Sequence, residues 1–276
     1  MRIGKLCIIA GAGDLPEITI LEAEERGLDF VVYVMDPENI ALLAMLKIKN
    51  LDYSIVSLGK FDQVLKKLKN DKVSHAIIVG KVQKKNFLHW TKFNLKTLAM
   101  LAKMKDKIDA SIFDFVAGAF DKIGVEIVNQ ELFLNHLLCK PGVYSKREPS
   151  KNELRDVEYG MSCAKKIAAL DIGQSVVVAG RTLLAVEAIE GTDEAIKRGA
   201  NYAGKKNAVV CKAMRKNQDT RFDVPSVGLQ TLDVMRQNGC RVLAIEARHT
   251  FVIHQQEFFK KVNQYKMVFI AVDTVS

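Results

Sequence analysis

Apolar residues in the first 135 positions fall into short unbroken runs, separated by stretches that repeat with helical spacing. Leu6 to Ala10, Phe30 to Val34 and Ala76 to Val79 are such runs. Strands covered on both faces of a parallel sheet look like this, because neither face alternates with solvent. Between them, Pro16 to Arg26 and Phe61 to Lys69 have helical spacing, and Gly27 suits a helix C-terminus. That alternation predicts an open, mostly parallel sheet of Rossmann-like α/β type. Lys85 to Lys107 and Ala110 to Lys122 read as longer helices.

Pro141, Gly142, Pro149 and Ser150 interrupt any helix between Leu138 and Asn152. This segment is expected to link a first domain, 1–140, to a second, 141–276. The second half opens with a helical pattern, Glu153 to Leu170. Strand-like runs follow at Ser175 to Ala179, Thr182 to Ala188, Ala208 to Ala213, Val242 to Ile245 and Met267 to Val272. Thr192 to Tyr202, Ser226 to Asn238 and Gln255 to Gln264 read as helices. The adjacent runs at 175–188 predict a hairpin, and hence a mixed sheet with helices in this α/β domain.

Composition is that of a globular chain: 276 residues, 49% hydrophobic and 26% charged. The formal charge of +9 favours phosphates, nucleotides or an anionic membrane face. Between Lys60 and Lys107 there are 13 lysines against three acids, Asp62, Asp71 and Asp106, so the rest is close to neutral. Five cysteines without C-x-x-C spacing favour reduced thiols in the cytosol. At the N-terminus, Arg2 and Lys5 precede an apolar run, but Asp14 and Pro16 follow too soon for a signal peptide. No run of roughly 20 apolar residues predicts a membrane span.

Gly11-Ala12-Gly13-Asp14-Leu15-Pro16 joins the first strand to the first helix. Glycines there let a backbone approach a phosphate or sugar, and a helix N-terminus adds N–H donors. Asp36 ends the second strand, about where a ribose-binding acid sits in a dinucleotide fold. The third glycine of that fingerprint is replaced by Pro16. Three readings stand: an NAD-type site, a tight structural turn, and contact with another phosphorylated or sugar ligand.

Acidic residues concentrate in two segments of the second half. In 185–193, Glu187 sits late on a strand and Glu190 starts a turn, while Thr192 or Asp193 is placed to cap the next helix. In 212–228, Asp219 and Asp223 flank Arg221, with Lys212, Arg215 and Lys216 upstream. Hard oxygen ligands beside cations suit a magnesium–pyrophosphate site. An exposed charged loop of little energetic weight is the alternative. His75, His89, His136, His249 and His254 show no metal-ligand spacing. His249 and His254 lie on a strand-like run, where alternation would place them on opposite faces.

Taken together, IAGAGDLP at 9–16, VGKV at 79–82, DIGQSVVV at 171–178, LLAVEAIEGTDEAI at 183–196 and QDTRFDVPSVG at 218–228 resemble the LpxI family. These motifs span nearly the whole chain in order. The resemblance implies a pyrophosphatase of lipid A biosynthesis that cleaves UDP-2,3-diacylglucosamine to UMP and 2,3-diacylglucosamine 1-phosphate (lipid X). It implies Mg2+ or another divalent cation, and two α/β domains with the ligand between them. The family's essential acid maps to Asp223, with Asp219 beside it as the second catalytic candidate. Asp223, Asp219 and Glu187 become the candidate metal ligands. Candidate substrate contacts are Gly11, Ala12, Gly13, Asp14 and Lys81 in the first half. In the second half they are Gln174, Glu190, Gly191, Thr192, Asp193, Lys212 and Arg221. One departure stands out: at Lys105-Asp106-Lys107, where the family pattern has an acidic turn, only Asp106 keeps that character.

A two-chain lipid substrate implies a cytoplasmic protein peripherally associated with the inner membrane. The stretch Lys81 to Lys107 interleaves lysines with Phe87, Trp90 and Phe93, which suits an anionic interface as well as it suits an ordinary amphipathic helix. A homodimer is left open. Two competing functions are an NAD-type oxidoreductase using Gly11 to Gly13 and a non-catalytic nucleotide-sugar binding protein. No nucleic-acid module is recognisable.

Overall fold

The computed structural model describes residues 3–35, 51–81, 97, 112–204, 207–216 and 218–274. The chain divides into two compact units. Met1–Leu134 and Thr220–Phe222 make up the first, and Asn135–Asp219 and Asp223–Ser276 the second. The expected division at 140/141 treats the second half as continuous, whereas three residues of the 218–228 motif belong to the first unit.

In the first unit, β1 (Leu6–Ala10), β2 (Phe30–Val34), β3 (Tyr53–Ile55), β4 (His75–Val79) and β5 (Glu126–Ile127) form one sheet in the order β3-β2-β1-β4-β5. Every pairing in it is parallel. All five residues of β1 are buried, as its unbroken apolar run requires. Among the described residues its α-helices are α1 (Leu15–Glu25), α2 (Phe61–Asn70), α3 (Ile112–Asp121) and the single turn α4 (Glu131–Leu134). Pro16 occupies the first turn of α1, where a missing N–H costs nothing, and Gly27 follows that helix at φ +63. Cys7, Ile9, Tyr33, Leu68 and Phe120 share one core cluster with Phe222.

The second unit carries β6 (Gly142–Val143), β7 (Ser175–Ala179), β8 (Thr182–Val186), β9 (Ala208–Lys212), β11 (Cys240–Glu246) and β13 (Val268–Val272). They form a mixed sheet in the order β6-β13-β11-β9-β7-β8. β7 and β8 form the expected antiparallel hairpin. Strands β10 (Ser226–Val227) and β12 (Phe251–Val252) pair separately. Helix α5 (Lys151–Ala169) packs Val157, Met161 and Ala164 against Val176, Val178, Val209 and Cys211. The alternate residues Val177 and Val210 face a second cluster. That cluster includes Ile196 of α6 (Thr192–Tyr202), Leu232 of α7 (Leu229–Gln237) and Phe258 of α8 (Gln255–Gln264). A strand period of two thus supplies both faces of one sheet.

Two expectations are corrected. The Ser226 to Asn238 pattern is not one helix. Ser226 and Val227 are a strand paired with Phe251 and Val252, and the helix begins after Gly228. His249 and His254 do not lie along one strand. The two-residue β12 separates them, His254 takes φ +53 just before α8, and both are exposed. Asp36 and residues 82–107, apart from Thr97, lie outside the described residues, and with them the Lys105-Asp106-Lys107 turn.

Candidate active site

The second unit gathers Gln174, Glu187, Thr192, Lys212, Gln218 and Asp223 around the ends of β7, β8 and β9. Gln174 immediately precedes β7, and its carbonyl accepts from the Ala213 N–H just beyond β9 (2.9 Å). That backbone bond opens the loop that ends at Asp223. Gln174 Nε2 donates to Gln218 Oε1 (3.0 Å) and, at the limit of hydrogen bonding, to Asp223 Oδ2 (3.5 Å). Gln218 Nε2 donates to the same Oδ2 at 2.7 Å. The Asp223 N–H closes a turn onto the Asp219 carbonyl (3.2 Å). Among the described residues, the hydrogen bonds that hold the Asp223 carboxylate thus come from neutral amides.

Glu187 forms the other half of the cluster. Its Oε1 accepts from the Thr192 hydroxyl (2.8 Å), which also accepts from Lys212 Nζ (3.2 Å). Burial works against its charge. Lys212, the nearby hydroxyls of Ser175 and Thr192, and the Gln174 backbone N–H outweigh burial and hold the carboxyl below its ordinary range. Glu187 Oε2 is buried with no hydrogen-bond partner among the described residues. Gln174 thus bears on both acids: its backbone N–H helps to hold the Glu187 carboxyl down, and its side-chain amide reaches Asp223 at the limit of hydrogen bonding. Thr192 does not cap α6. Gly191 holds the cap position at φ +86, and the Thr192 hydroxyl is turned toward Glu187 instead.

Other predicted contacts have separate surroundings. Glu190 pairs with Arg198 (2.8 Å), and Asp193 accepts from Gln230 Nε2 (2.7 Å). Arg221 belongs to the first unit, where it lines a cleft of about 390 Å³ with Asp121, Glu126 and Asn129. In the glycine turn, the Gly11 N–H donates to the Val79 carbonyl, while Ala12 and Lys81 exchange both backbone bonds at 2.8 Å. A Cβ on Gly11 would stand 2.7 Å from the Lys81 carbonyl oxygen. Gly11 is thus required by a backbone crossing, and the N–H groups of Gly11 and Ala12 are already used. Gly13 (φ +95), Asp14 and the Lys81 side chain are the exposed parts of this turn.

Could these residues hold a divalent cation? Among the described residues, no group of three or more His, Cys, Asp or Glu converges, so Asp219, Asp223 and Glu187 do not form a ready-made cage. Magnesium commonly takes one or two carboxylates and completes its shell with water and substrate phosphates. An Asp223 carboxylate held by neutral amides and a buried, unpartnered Glu187 oxygen fit that use.

Gln218 was not singled out by sequence reasoning, which read it only as the first letter of a motif. No periodicity marks a loop glutamine; the signal is its place five residues ahead of Asp223.

Residues 5–137 match the LpxI N-terminal domain and residues 140–270 the LpxI C-terminal domain. The chain is 28% identical, over 278 aligned positions covering 98% of both proteins, to the UDP-2,3-diacylglucosamine pyrophosphatase LpxI of Caulobacter vibrioides. Two domain matches in chain order, one for each half, with the Asp223 loop inside the second, place the chain in the LpxI family.

Proposed function

We propose that this chain hydrolyses the pyrophosphate of UDP-2,3-diacylglucosamine, giving UMP and 2,3-diacylglucosamine 1-phosphate, as a step of lipid A biosynthesis. Membership of the LpxI family and the name of the Caulobacter relative support the reaction. The observation that carries the site is the Asp223 carboxylate, held in place by neutral amide donors (2.7 Å from Gln218), in one unit with a Glu187 carboxylate that Thr192 links to Lys212.

Asp223 is positioned to orient or deprotonate the attacking water. Lys212, close to Thr192 and Glu187, supplies positive charge toward developing phosphoryl charge. A bound Mg2+ supplies Lewis-acid polarisation of phosphoryl oxygens, with Asp223 and Glu187 as the residues that would hold it. The alternative NAD-type reading loses support, because two N–H groups of the glycine turn are engaged by Val79 and Lys81.

Peripheral association with the inner membrane is part of the proposal. Among the described residues no helix is long and apolar enough to cross a membrane. Leu170, Ile172 and Ile189 are exposed on the loops beside Gln174 and Glu187, where a two-chain substrate would meet them.

The test is UMP release from UDP-2,3-diacylglucosamine, with Mg2+ and then with excess EDTA. Chelation should stop turnover, and Asp223→Ala should lower kcat by about a thousandfold or more while the fold persists. Near-normal turnover by Asp223→Ala would remove the proposed role of this carboxylate.

A further inference from the structure

We infer that Gln218 is a positioning residue, whose side-chain amide sets the direction in which the Asp223 carboxylate faces. The inference rests on the reading of Asp223 given above. Gln218 Nε2 donates both to Asp223 Oδ2 (2.7 Å) and to the Asp223 backbone carbonyl (3.1 Å). Its Oε1 accepts from the Arg215 backbone N–H (3.2 Å) and from Gln174 Nε2 (3.0 Å). Two donors on one side and two acceptors on the other dictate the orientation of the amide. Turned over, its oxygen would face two oxygens and its NH2 two N–H groups. The amide is itself braced, since the Gln218 N–H returns to the Arg215 carbonyl (3.3 Å) and the Arg215 guanidinium pairs with Asp171.

The choice of residue type has a chemical reason. Lysine or arginine would orient Asp223 equally well, but would offset the negative charge that a water proton or a divalent cation needs. A neutral amide fixes direction and leaves the charge in place. Both bonds to the Asp223 carboxylate from Gln218 and Gln174 fall on Oδ2, so Oδ1 is the oxygen presented for chemistry.

The experiment uses the full chain, UDP-2,3-diacylglucosamine and Mg2+, with kcat, KM and thermal midpoint measured together. Gln218→Met keeps the length of the side chain and removes its donors. Gln218→Glu keeps an acceptor for Arg215 but turns a carboxylate oxygen toward Asp223. Both should lower kcat about 30- to 100-fold, as expected for a catalytic group misplaced by about 1 Å, with KM within about threefold. Gln174→Ala, which leaves the loop's own bonds intact, should lower kcat about fivefold through the lost brace. Asp223→Ala run alongside separates the two ideas. If it is inactive while the Gln218 and Gln174 variants keep kcat within threefold, the positioning role is overturned and the catalytic reading stands. If Asp223→Ala is active, the catalytic reading itself fails. A loss of kcat that tracks a fall in thermal midpoint and a rise in KM would make Gln218 a structural prop and likewise overturn the inference.

Discussion

Glu246 ends β11 only 4% exposed, and together with Lys165 its carboxylate holds both backbone polar groups of Met214 in register. Its Oε2 accepts from the Met214 N–H (2.7 Å), and its Oε1 accepts from Lys165 Nζ (2.8 Å) and the Thr274 hydroxyl. Lys165 Nζ also donates to the Met214 carbonyl (3.0 Å). Met214 is the second residue of the loop that leads to Gln218 and Asp223, so this pair fixes the root of that loop. Burial opposes the charge of Glu246, but Lys165, Thr274 and the Met214 N–H outweigh it and hold the carboxyl below its usual range. A depressed carboxyl contributes stability that is complete above its unfolded pKa and is lost as pH falls through the folded one. The gap in urea midpoint between the native chain and Glu246→Gln should therefore be widest near pH 7 and shrink below about pH 4. Lys165→Met, which strands the carboxylate, should cost about 3 kcal/mol at pH 7. A midpoint gap that stays constant from pH 7 to pH 3 would show that the ionised pair is not what stabilises this corner. Sequence reasoning did not single out Glu246, because its partners come from α5, the 213–219 loop and the chain end. Asp223 was legible only through its motif; its amide partners were not, since loop hydrogen bonds leave no periodic trace.

At the scale of elements, legibility follows length. The sequence pattern and the structure share the same limits for β1, β2, β7, α6 and α8, each of which spans at least five residues and carries an unbroken apolar run or a helical repeat. The pattern missed β5, β6 and β10, two residues each, which exist because a partner backbone lies beside them, and it read the two-residue β12 only as part of a longer strand-like run. It also missed the capping box of α5, in which Ser150 accepts from the Glu153 N–H (3.3 Å) and Glu153 from the Ser150 N–H (2.8 Å), although Ser150-Lys151-Asn152-Glu153 spells the motif. Glycines inside helices show how tertiary packing decides where propensity does not. A Cβ on Gly199 would stand 2.5 Å from Val177 Cβ, so α6 lies on β7 at a distance only glycine allows. Gly118 in α3 has nothing within 4 Å of the same position. Alanine in place of helical glycine gains up to about 1 kcal/mol, while overpacking costs about 1–3 kcal/mol. Gly118→Ala should raise the thermal midpoint and Gly199→Ala should lower it, with Val177→Ala recovering part of the second loss. Equal gains at both positions would mean that α6 can move off the sheet without cost.

At the scale of the molecule, the α/β class and the family were legible from motifs spread along the chain. The return of Thr220–Phe222 to the first unit was not, because Phe222 reads as a mere neighbour of Asp223. It is 8% exposed and stacks on Phe113 at 4.8 Å. The remaining question at this scale is how a protein with a net charge of +9 meets a lipid substrate. Leu170, Ile172 and Ile189 are 68%, 46% and 85% exposed. They lie on two loops that touch, since a Cβ on Gly173 would collide with the Glu187 carbonyl. Large aliphatic side chains kept in water beside the polar site make sense if they enter lipid when substrate is taken up. Charge and apolar contact separate through salt, which screens the first within about a Debye length and leaves the second. Binding to phosphatidylglycerol-containing vesicles should weaken several-fold between low and high salt, leaving a residue carried by the aliphatic loops. Ile172→Asp with Ile189→Asp should lower that residue by about tenfold or more, the scale of two partly buried aliphatic side chains. If sedimentation with vesicles at high salt is the same for the double variant and the native chain, these loops do not enter the membrane. Binding that vanishes for both at high salt would instead leave charge as the sole attraction.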